Sequence, residues 1–147
     1  MKVQLRKAEE ADLALFTEME QEAGTSKFII PYRLEDHVSS YSDPRIIYLR
    51  IVADEELAGY FILAMDQDAR SIEFRRVVVA NKGLGIGQRA IEAMEVYCRD
   101  LLQMTRIWLD VFWHNCRGRH IYEKLGYHQF GESVLDGKKL LLYEKQL

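Results

Sequence analysis

The chain has 147 residues, 48% hydrophobic and 29% charged, which is typical of one soluble globular domain. Its formal net charge of −3 argues against nucleic acid or an anionic membrane as the main partner. No apolar run approaches the ~20 residues of a membrane-spanning helix, and the charged N-terminus lacks a signal-peptide core. Its two cysteines fit no metal-binding spacing. We therefore expect a cytoplasmic protein without a metal, with one domain over residues 1–147.

The first half of the chain predicts a strand, two helices and two further strands. The strand is "VQLRKA", and the helix after it has apolar residues at helical spacing and ends at Gly24. Pro31 separates this helix from a second, shorter one. Two β-branched and aromatic runs, "RIIYLRIVA" and "LAGYFILAM", are then joined by turn residues, which predicts a hairpin.

The second half alternates strands and helices and closes on a hairpin. "SIEFRRVVVA" is the predicted central strand, and a helix of about four turns follows it. After another strand comes a short helix that Asn115 caps and Gly126 ends, and the Asp136-Gly137 turn joins the last two strands. The order β-α-α-β-β-β-α-β-α-β-β predicts a mixed α/β (α+β) domain with one parallel strand pair.

The stretch "VVVANKGLGIGQR" places Gly83, Gly85 and Gly87 between the central strand and its helix. A helix N-terminus presents N–H groups without partners, and glycines allow a phosphate to approach them closely. A P-loop would need Gly-Lys-Ser/Thr, and the dinucleotide fingerprint would need glycine at Gln88, so both motifs are excluded. Alone, the glycines are consistent either with a phosphate ligand or with close packing.

Two motifs together resemble those of the GCN5-related N-acetyltransferases (GNAT). "VVVANKGLGIGQRAI" is similar to the family's acetyl-CoA-binding motif, Arg/Gln-x-x-Gly-x-Gly/Ala, with Lys82 in the first position. "NCRGRHIYEKLGY" is similar to its second signature, with Gly118 in place of the usual Ala and Tyr127 in place of Phe. The motifs occur in the family's order, and the element order matches along essentially the full chain. The resemblance implies a GNAT-like domain with a splayed parallel strand pair.

The resemblance also implies acetyl-CoA as co-substrate and no metal. The coenzyme A pyrophosphate would lie on the backbone of the glycine turn, and the pantetheine arm would pair with the strand before it. The cofactor-binding residues that it implies are Val77, Val78, Val79, Lys82, Gly83, Leu84, Gly85, Ile86, Gly87, Gln88, Asn115 and Arg117.

Acyl transfer to an amine also needs an acid and a base. The resemblance implies Tyr122 as the acid that protonates the leaving thiolate. A base is needed because an amine with a pKa of ~10.4 is less than ~0.1% neutral at pH 7. Glu73 is the first candidate for this base, and Asp110, His114 and a water chain stay open. Candidate residues of the acceptor pocket are Tyr32, Tyr60, Trp113 and His114.

We therefore expect an acetyl-CoA-dependent enzyme that acetylates a primary amine of an unidentified small molecule or protein. A homodimer is one assembly that the resemblance allows. Two alternatives stay open: a non-catalytic acyl-CoA-binding module on the same fold, and an interaction domain whose glycines only allow close packing. Tyr122 favours the enzyme, and no motif identifies the acceptor.

Overall fold

The computed structural model describes residues 1–80 and 83–147, and these residues form one seven-stranded sheet in the order β1-β2-β3-β4-β5-β7-β6. Neighbouring strands are antiparallel except β4 and β5, which are parallel. The strands are β1 Val3–Lys7, β2 Ile46–Ala53, β3 Glu56–Met65, β4 Ser71–Val79, β5 Arg106–Phe112, β6 His128–Leu135 and β7 Lys138–Gln146. The helices are α1 Leu13–Glu20, α2 Ala23–Ser26, α3 Leu34–Tyr41, α4 Ile86–Val96 and α5 Cys116–Lys124, with a 3-10 turn at Glu10–Asp12 and a π turn at Tyr97–Leu101.

The predicted fold class, the central position of β4 and the parallel pair are confirmed. The turns of the two predicted hairpins, β2–β3 and β6–β7, contain left-handed residues, with φ of +48° at Asp54 and +74° at Gly137. The predicted caps of α5 are also confirmed, because Asn115 accepts a hydrogen bond from the Gly118 N–H and Gly126 has a φ of +97°.

The prediction of one long helix ending at Gly24 is wrong. Helix α1 ends at Glu20, and Gly24 lies inside the separate short helix α2. The interruption has a local cause, because Glu22 takes an extended backbone conformation with ψ of 138°. In the described residues, no helix is long and apolar enough to cross a membrane.

Two apolar cores lie on opposite faces of the sheet. The main core packs α4 against one face and includes Phe74, Ile91 and Leu109. The second core packs α1 against the other face, where Phe16 stacks on Tyr60 with ring centroids 4.2 Å apart. The face that a strand residue occupies therefore determines which of the two helical layers it contacts.

A β-bulge in β4 separates this strand from β5. In the β3–β4 ladder, Ile62 opposes Arg76 while Leu63 opposes Phe74, which leaves Arg75 as an extra residue. Because of this residue, Phe74 and Val77 both contact the main core although they are three positions apart. The parallel ladder covers only residues 71–73 of β4 and 106–108 of β5. Beyond these residues the two strands diverge and leave a cleft.

Close approach of β3 to β4 requires glycine at position 59. A Cβ atom there would lie 2.0 Å from the Val78 carbonyl oxygen, which belongs to rigid backbone. Gly59→Ala should therefore lower the free energy of unfolding by about 3 kcal/mol, the upper range for overpacking. Urea unfolding measures this loss. The control is Gly24→Ala, where no atom lies within 4 Å and we expect a change below about 1 kcal/mol. Equal stabilities of the two variants would contradict the argument.

Candidate active site

A cleft of about 590 Å³ opens where β4 and β5 diverge. One part is lined by the glycine turn and the start of α4, and another by α5. The remaining walls come from β4, β5 and the segment at 24–30. The cleft therefore connects the predicted phosphate site with the opposite face of the sheet.

The glycine turn presents backbone N–H groups to this cleft. Gly83 and Gly85 have φ values of +89° and +78°, a region that favours glycine. Gly85 is the N-cap of α4, and the helical hydrogen-bond ladder begins with the Arg89 N–H donating to the Gly85 carbonyl oxygen at 3.3 Å. The N–H groups of Ile86, Gly87 and Gln88 precede that ladder and carry the positive end of the helix dipole. This arrangement suits a phosphate or pyrophosphate.

The predicted cofactor residues of the turn do not all reach the cleft. Gly83, Gly85, Ile86, Gly87 and Gln88 line it. Leu84 is 62% exposed and lies outside the cleft lining, and Lys82 lies outside the described residues.

The valines of β4 are divided between the two faces of the sheet. Val77 and Val79 line the cleft, whereas Val78 is buried in the second core. The Val78 carbonyl points toward Gly59, and the Ala80 N–H donates to the Ala58 carbonyl oxygen on the same side. Since backbone groups alternate along a strand, those of Val77 point toward the gap between β4 and β5. This edge is where an extended ligand could pair with the strand.

Helix α5 lines the cleft with Asn115, Arg117, Gly118 and Tyr122. The Asn115 Oδ1 atom accepts from the Gly118 N–H at 3.0 Å, so this side chain caps the helix. A Cβ atom on Gly118 would lie 2.7 Å from Asn115 Nδ2. Glycine in place of the family's alanine therefore allows the Asn115 amide to lie against the first turn of α5.

Tyr122 reaches the cleft from the α4 face of the sheet. Its ring packs edge-to-face on Phe74, with centroids 5.8 Å apart. Burial, followed by the negative charge of Asp110, raises the pKa of Tyr122 to about 12. The phenol therefore keeps its proton at neutral pH and can serve as a hydrogen-bond donor inside the cleft.

The two candidate carboxylates have different surroundings. Asp110 lines the cleft and is exposed to it, and partial loss of water within the cleft, followed by the charge of Glu73, raises the pKa of Asp110. Glu73 is not among the lining residues, and its Oε1 atom accepts from Arg75 Nε at 3.2 Å and Nη2 at 2.9 Å. Asp110 is thus the carboxylate that faces the cleft, and Glu73 holds Arg75.

None of the four aromatic residues predicted for the acceptor pocket lies in the cleft lining, and Trp113 is exposed outside it. Tyr60 is fully buried in the second core, where its hydroxyl donates to Glu20, so it does not line the cleft. Tyr32 lies behind Arg76, whose guanidinium is 4.2 Å from the ring centroid. His114 packs on Phe112 and Phe28, which do line the cleft. The structure therefore brings His114 near the cleft without placing it in the lining.

A buried carboxylate at the end of α1 organises this side of the protein. The Glu20 Oε1 atom accepts from Arg76 Nη1 at 2.9 Å and from the Tyr32 N–H at 2.8 Å. The Oε2 atom accepts from the Tyr60 hydroxyl and lies 2.9 Å from His37 Nε2. The His37 Nε2 atom thus lies within ion-pair distance of the carboxylate, without the alignment of a hydrogen bond.

Arg76 connects this buried cluster to the cleft. Its Nη2 atom donates to the Ile30 carbonyl oxygen at 2.8 Å, and both residues line the cleft. Burial alone would raise the pKa of Glu20, but contact with His37 and the charge of Arg76 outweigh it and lower that pKa. Sequence reasoning missed Glu20, because only the folded chain brings it to Arg76. In the described part of the chain, no group of three His, Cys, Asp or Glu side chains could hold a metal ion.

The fold and the cleft define a class of protein: an α/β domain with a split parallel strand pair and a glycine turn at a helix N-terminus. The sequence profile of the Acetyltransferase (GNAT) family matches residues 10–127, which is most of the chain. The chain therefore belongs to the GNAT family of acetyltransferases.

The spermine/spermidine N(1)-acetyltransferase of Bacillus subtilis (strain 168) is a curated relative, 27% identical over 63 residues. The match covers 43% of this chain and 41% of the relative, so it spans about two fifths of the relative's length.

The solved structures with similar folds include two acetyltransferases in complex with coenzyme A. The spermidine N-acetyltransferase from Vibrio cholerae, in complex with coenzyme A and spermine, has a TM-score of 0.83 at 21% identity. This comparison covers 98% of our chain and 95% of the other. An aminoglycoside acetyltransferase in complex with coenzyme A also has a TM-score of 0.83, at 20% identity over 99% of our chain and 95% of that chain. At such identities the likeness shows the fold alone.

The Glu20 cluster predicts a large and pH-dependent effect of Glu20→Gln. This change leaves Arg76 buried without its carboxylate, so we expect a loss of about 3–5 kcal/mol in the free energy of unfolding at pH 7. The folded pKa of Glu20 lies below its ordinary value of 4.5. The stabilisation by the carboxylate is therefore present above pH 4.5 and is lost as pH falls through the lower folded pKa.

Urea unfolding of the wild type and Glu20→Gln between pH 3 and 7 measures this effect. The difference between their free energies of unfolding should become smaller toward acid pH. The control is Glu35→Gln, which removes an exposed pair with Arg33 and should cost less than about 1 kcal/mol. A gap that stays constant with pH would contradict the assignment.

Proposed function

We propose that the protein is an acetyl-CoA-dependent N-acetyltransferase that transfers the acetyl group directly to a primary amine of a small molecule. One observation carries this proposal: a single cleft joins the glycine turn, Tyr122 and Asp110 across the diverging strands. Membership of the GNAT family and the coenzyme A complexes of its structural neighbours support it.

The glycine turn is proposed to hold the coenzyme A pyrophosphate on the N–H groups of Ile86, Gly87 and Gln88. The pantetheine arm would lie along the edge of β4 at Val77, between this strand and α5. Arg117 lies exposed on the cleft wall, where its guanidinium can pair with a phosphate of the cofactor. This placement directs the thioester toward the gap where Tyr122 and Asp110 meet.

In the proposed reaction, the amine nitrogen attacks the thioester carbonyl carbon and the carbon–sulfur bond then breaks. A protonated amine gives up two protons overall: one ends on the coenzyme A sulfur and the other leaves to solvent. We propose Asp110 as the base that accepts a proton from the amine, because it faces the cleft. Its raised pKa brings it closer to that of the amine and eases the transfer.

Tyr122 is the proposed acid for the leaving thiolate. Its pKa of about 12 exceeds the ~8.5 of an ordinary thiol, so complete proton transfer to a free thiolate would be uphill by roughly 5 kcal/mol. The cleft also removes water from the developing thiolate, which raises the thiol pKa and narrows this gap. We therefore expect the phenol to act mainly as a donor that stabilises the sulfur while the carbon–sulfur bond breaks.

A non-catalytic acyl-CoA-binding module is the second candidate function. It would bind the cofactor in the same cleft but would not release thiol when an amine is added. Tyr122 and Asp110 in the lining favour the enzyme, because binding the cofactor alone requires neither a proton donor nor a base.

Cofactor binding at the glycine turn is tested with Gly85→Asp. The new carboxylate would project into the open cleft where the pyrophosphate is proposed to lie. Coenzyme A at about 100 times its dissociation constant should stabilise the wild type by about 2.7 kcal/mol in a thermal-shift assay. We expect Gly85→Asp to lose this stabilisation.

Gly137→Asp is the matched control, since this glycine also has a positive φ and open space but lies in the terminal hairpin. Coenzyme A should still raise the melting temperature of Gly137→Asp. A retained shift in Gly85→Asp would mean that the pyrophosphate binds elsewhere.

The roles of the three catalytic candidates are tested by kcat and kcat/KM, with release of coenzyme A thiol as the readout. Tyr122→Phe should lower kcat about ten-fold or more with little change in acetyl-CoA affinity. Asp110→Asn should lower kcat/KM by about 100-fold, the usual scale for a positioned base. Glu73→Gln should have a smaller effect, because Glu73 contacts Arg75 and does not line the cleft. If Glu73→Gln is the more damaging change, the base is Glu73.

A further inference from the structure

The charged side chains in one half of the cleft, here called the acceptor half, indicate which kind of amine could bind there. The acceptor half consists of Lys27, Phe28, Arg75, Arg76, Asp110 and Phe112. Leu109 and Val111 point into the main core, so Asp110 and Phe112, which alternate with them on β5, face the side of α1. Arg76 faces the same side, where it contacts Glu20.

This half of the cleft is rich in cations, although the chain has a net charge of −3. Among the cleft-lining residues that the structure describes, Asp110 is the one carboxylate. Lys27, Arg75 and Arg76 line the same half of the cleft, and Glu73 pairs with Arg75 while Glu20 pairs with Arg76. In the described lining, a ligand with several positive charges would meet one carboxylate, Asp110, and would also meet the exposed cation Lys27 and the partly exposed Arg75.

Arg76 is already occupied by contacts within the protein. Its two terminal nitrogens donate hydrogen bonds to Glu20 and to the Ile30 carbonyl oxygen. Its guanidinium stacks on Tyr32, and its side chain is 9% exposed. It therefore shapes the wall of the cleft and offers little to a ligand.

Arg75 is one of two cations in the acceptor half that a ligand can reach. It is the bulge residue of β4, and Glu73 holds its Nε and Nη2 atoms through a single carboxylate oxygen. Its side chain is 36% exposed, and within the described residues no hydrogen bond uses its Nη1 atom. An arginine fixed from one side by a carboxylate and open on the other is well placed to bind an anion. Lys27, exposed on the segment at 24–30, adds a second cation.

We propose that the acceptor is a primary amine that also carries a carboxylate or similar acidic group on an apolar body. The amine would lie at Asp110, the acidic group at Arg75 and Lys27, and the apolar body against the cleft-facing sides of Phe28 and Phe112, which both pack on His114. This inference rests on the proposed N-acetyltransferase function and names its acceptor class. It separates this chain from the polyamine acceptors in the names of two similar proteins, one matched in sequence over 43% of this chain and the other similar in fold.

Three amines with the same chain length test the proposal: 5-aminopentanoate, pentylamine and 1,5-diaminopentane. They differ in the group at the far end, which is anionic, neutral or cationic. Binding of each to the protein saturated with coenzyme A is measured by calorimetry, which requires no turnover. Release of thiol from acetyl-CoA then gives kcat/KM for each amine. We expect the carboxylate to bind and react about ten-fold better than pentylamine, and the diamine to be the poorest.

Two variants locate the origin of the preference. Arg75→Gln should reduce the ratio between the carboxylate and pentylamine by about ten-fold, because it removes a charge-assisted hydrogen bond. Lys27→Glu should shift the preference toward the diamine. Arg99→Gln is the control, since Arg99 forms an exposed pair with Asp100 beyond the far end of α4, and the ratio should not change.

The binding and turnover measurements separate failure of this inference from failure of the proposed function. Preferential binding of the carboxylate without thiol release would support the acceptor class and argue against acetyl transfer. Equal or tighter binding of the diamine would overturn the acceptor class, whether or not thiol is released. An unchanged ratio in Arg75→Gln would also overturn it, because the acidic group would then bind elsewhere.

Discussion

The divergence of β4 from β5 is the constraint on which the rest of the site depends. Two adjacent parallel strands normally pair along their length, and here the ladder covers only residues 71–73 and 106–108. The bulge at Arg75 bends β4 where the pairing ends, so backbone groups near Val77 lie at an open edge. The cleft, the position of Tyr122 and the access to Asp110 all follow from that gap, because a continuous ladder would fill the space that they share.

The second structural determinant is the buried charge of Glu20. Burial of a carboxylate costs several kcal/mol unless other groups compensate it, and here Arg76, Tyr60, His37 and a backbone N–H surround it. These partners come from β3, β4, α3 and the segment before α3, so one side chain joins elements far apart in sequence. Through Arg76 and the Ile30 carbonyl, the cluster also positions the wall of the acceptor half.

Much of the fold and of the proposed cofactor site could be predicted from local signals. Gly85 and Gly126 have the positive φ values that their turn positions require, and Asn115 caps α5 through its side chain, since these features depend on a few neighbouring residues. The acceptor side was less predictable. The sequence predicts Tyr60 in the acceptor pocket, but Tyr60 is buried in the second core. The face that a strand residue occupies depends on register and on bulges elsewhere in the sheet.

The sequence by itself determined the element order, the glycine turn and the family signatures, because these depend on residue type and short-range spacing. Only the tertiary structure decided which carboxylate faces the cleft. Glu73 and Asp110 both lie on strands of alternating pattern, and the sequence alone favoured Glu73. In the folded chain Asp110 lines the cleft and Glu73 does not. The bulge at Arg75 and the ion pair between Arg75 and Glu73 hold the Glu73 side chain outside the cleft lining. The bulge depends on the register of β4 against β3, and the residue pattern of β4 alone does not encode that register.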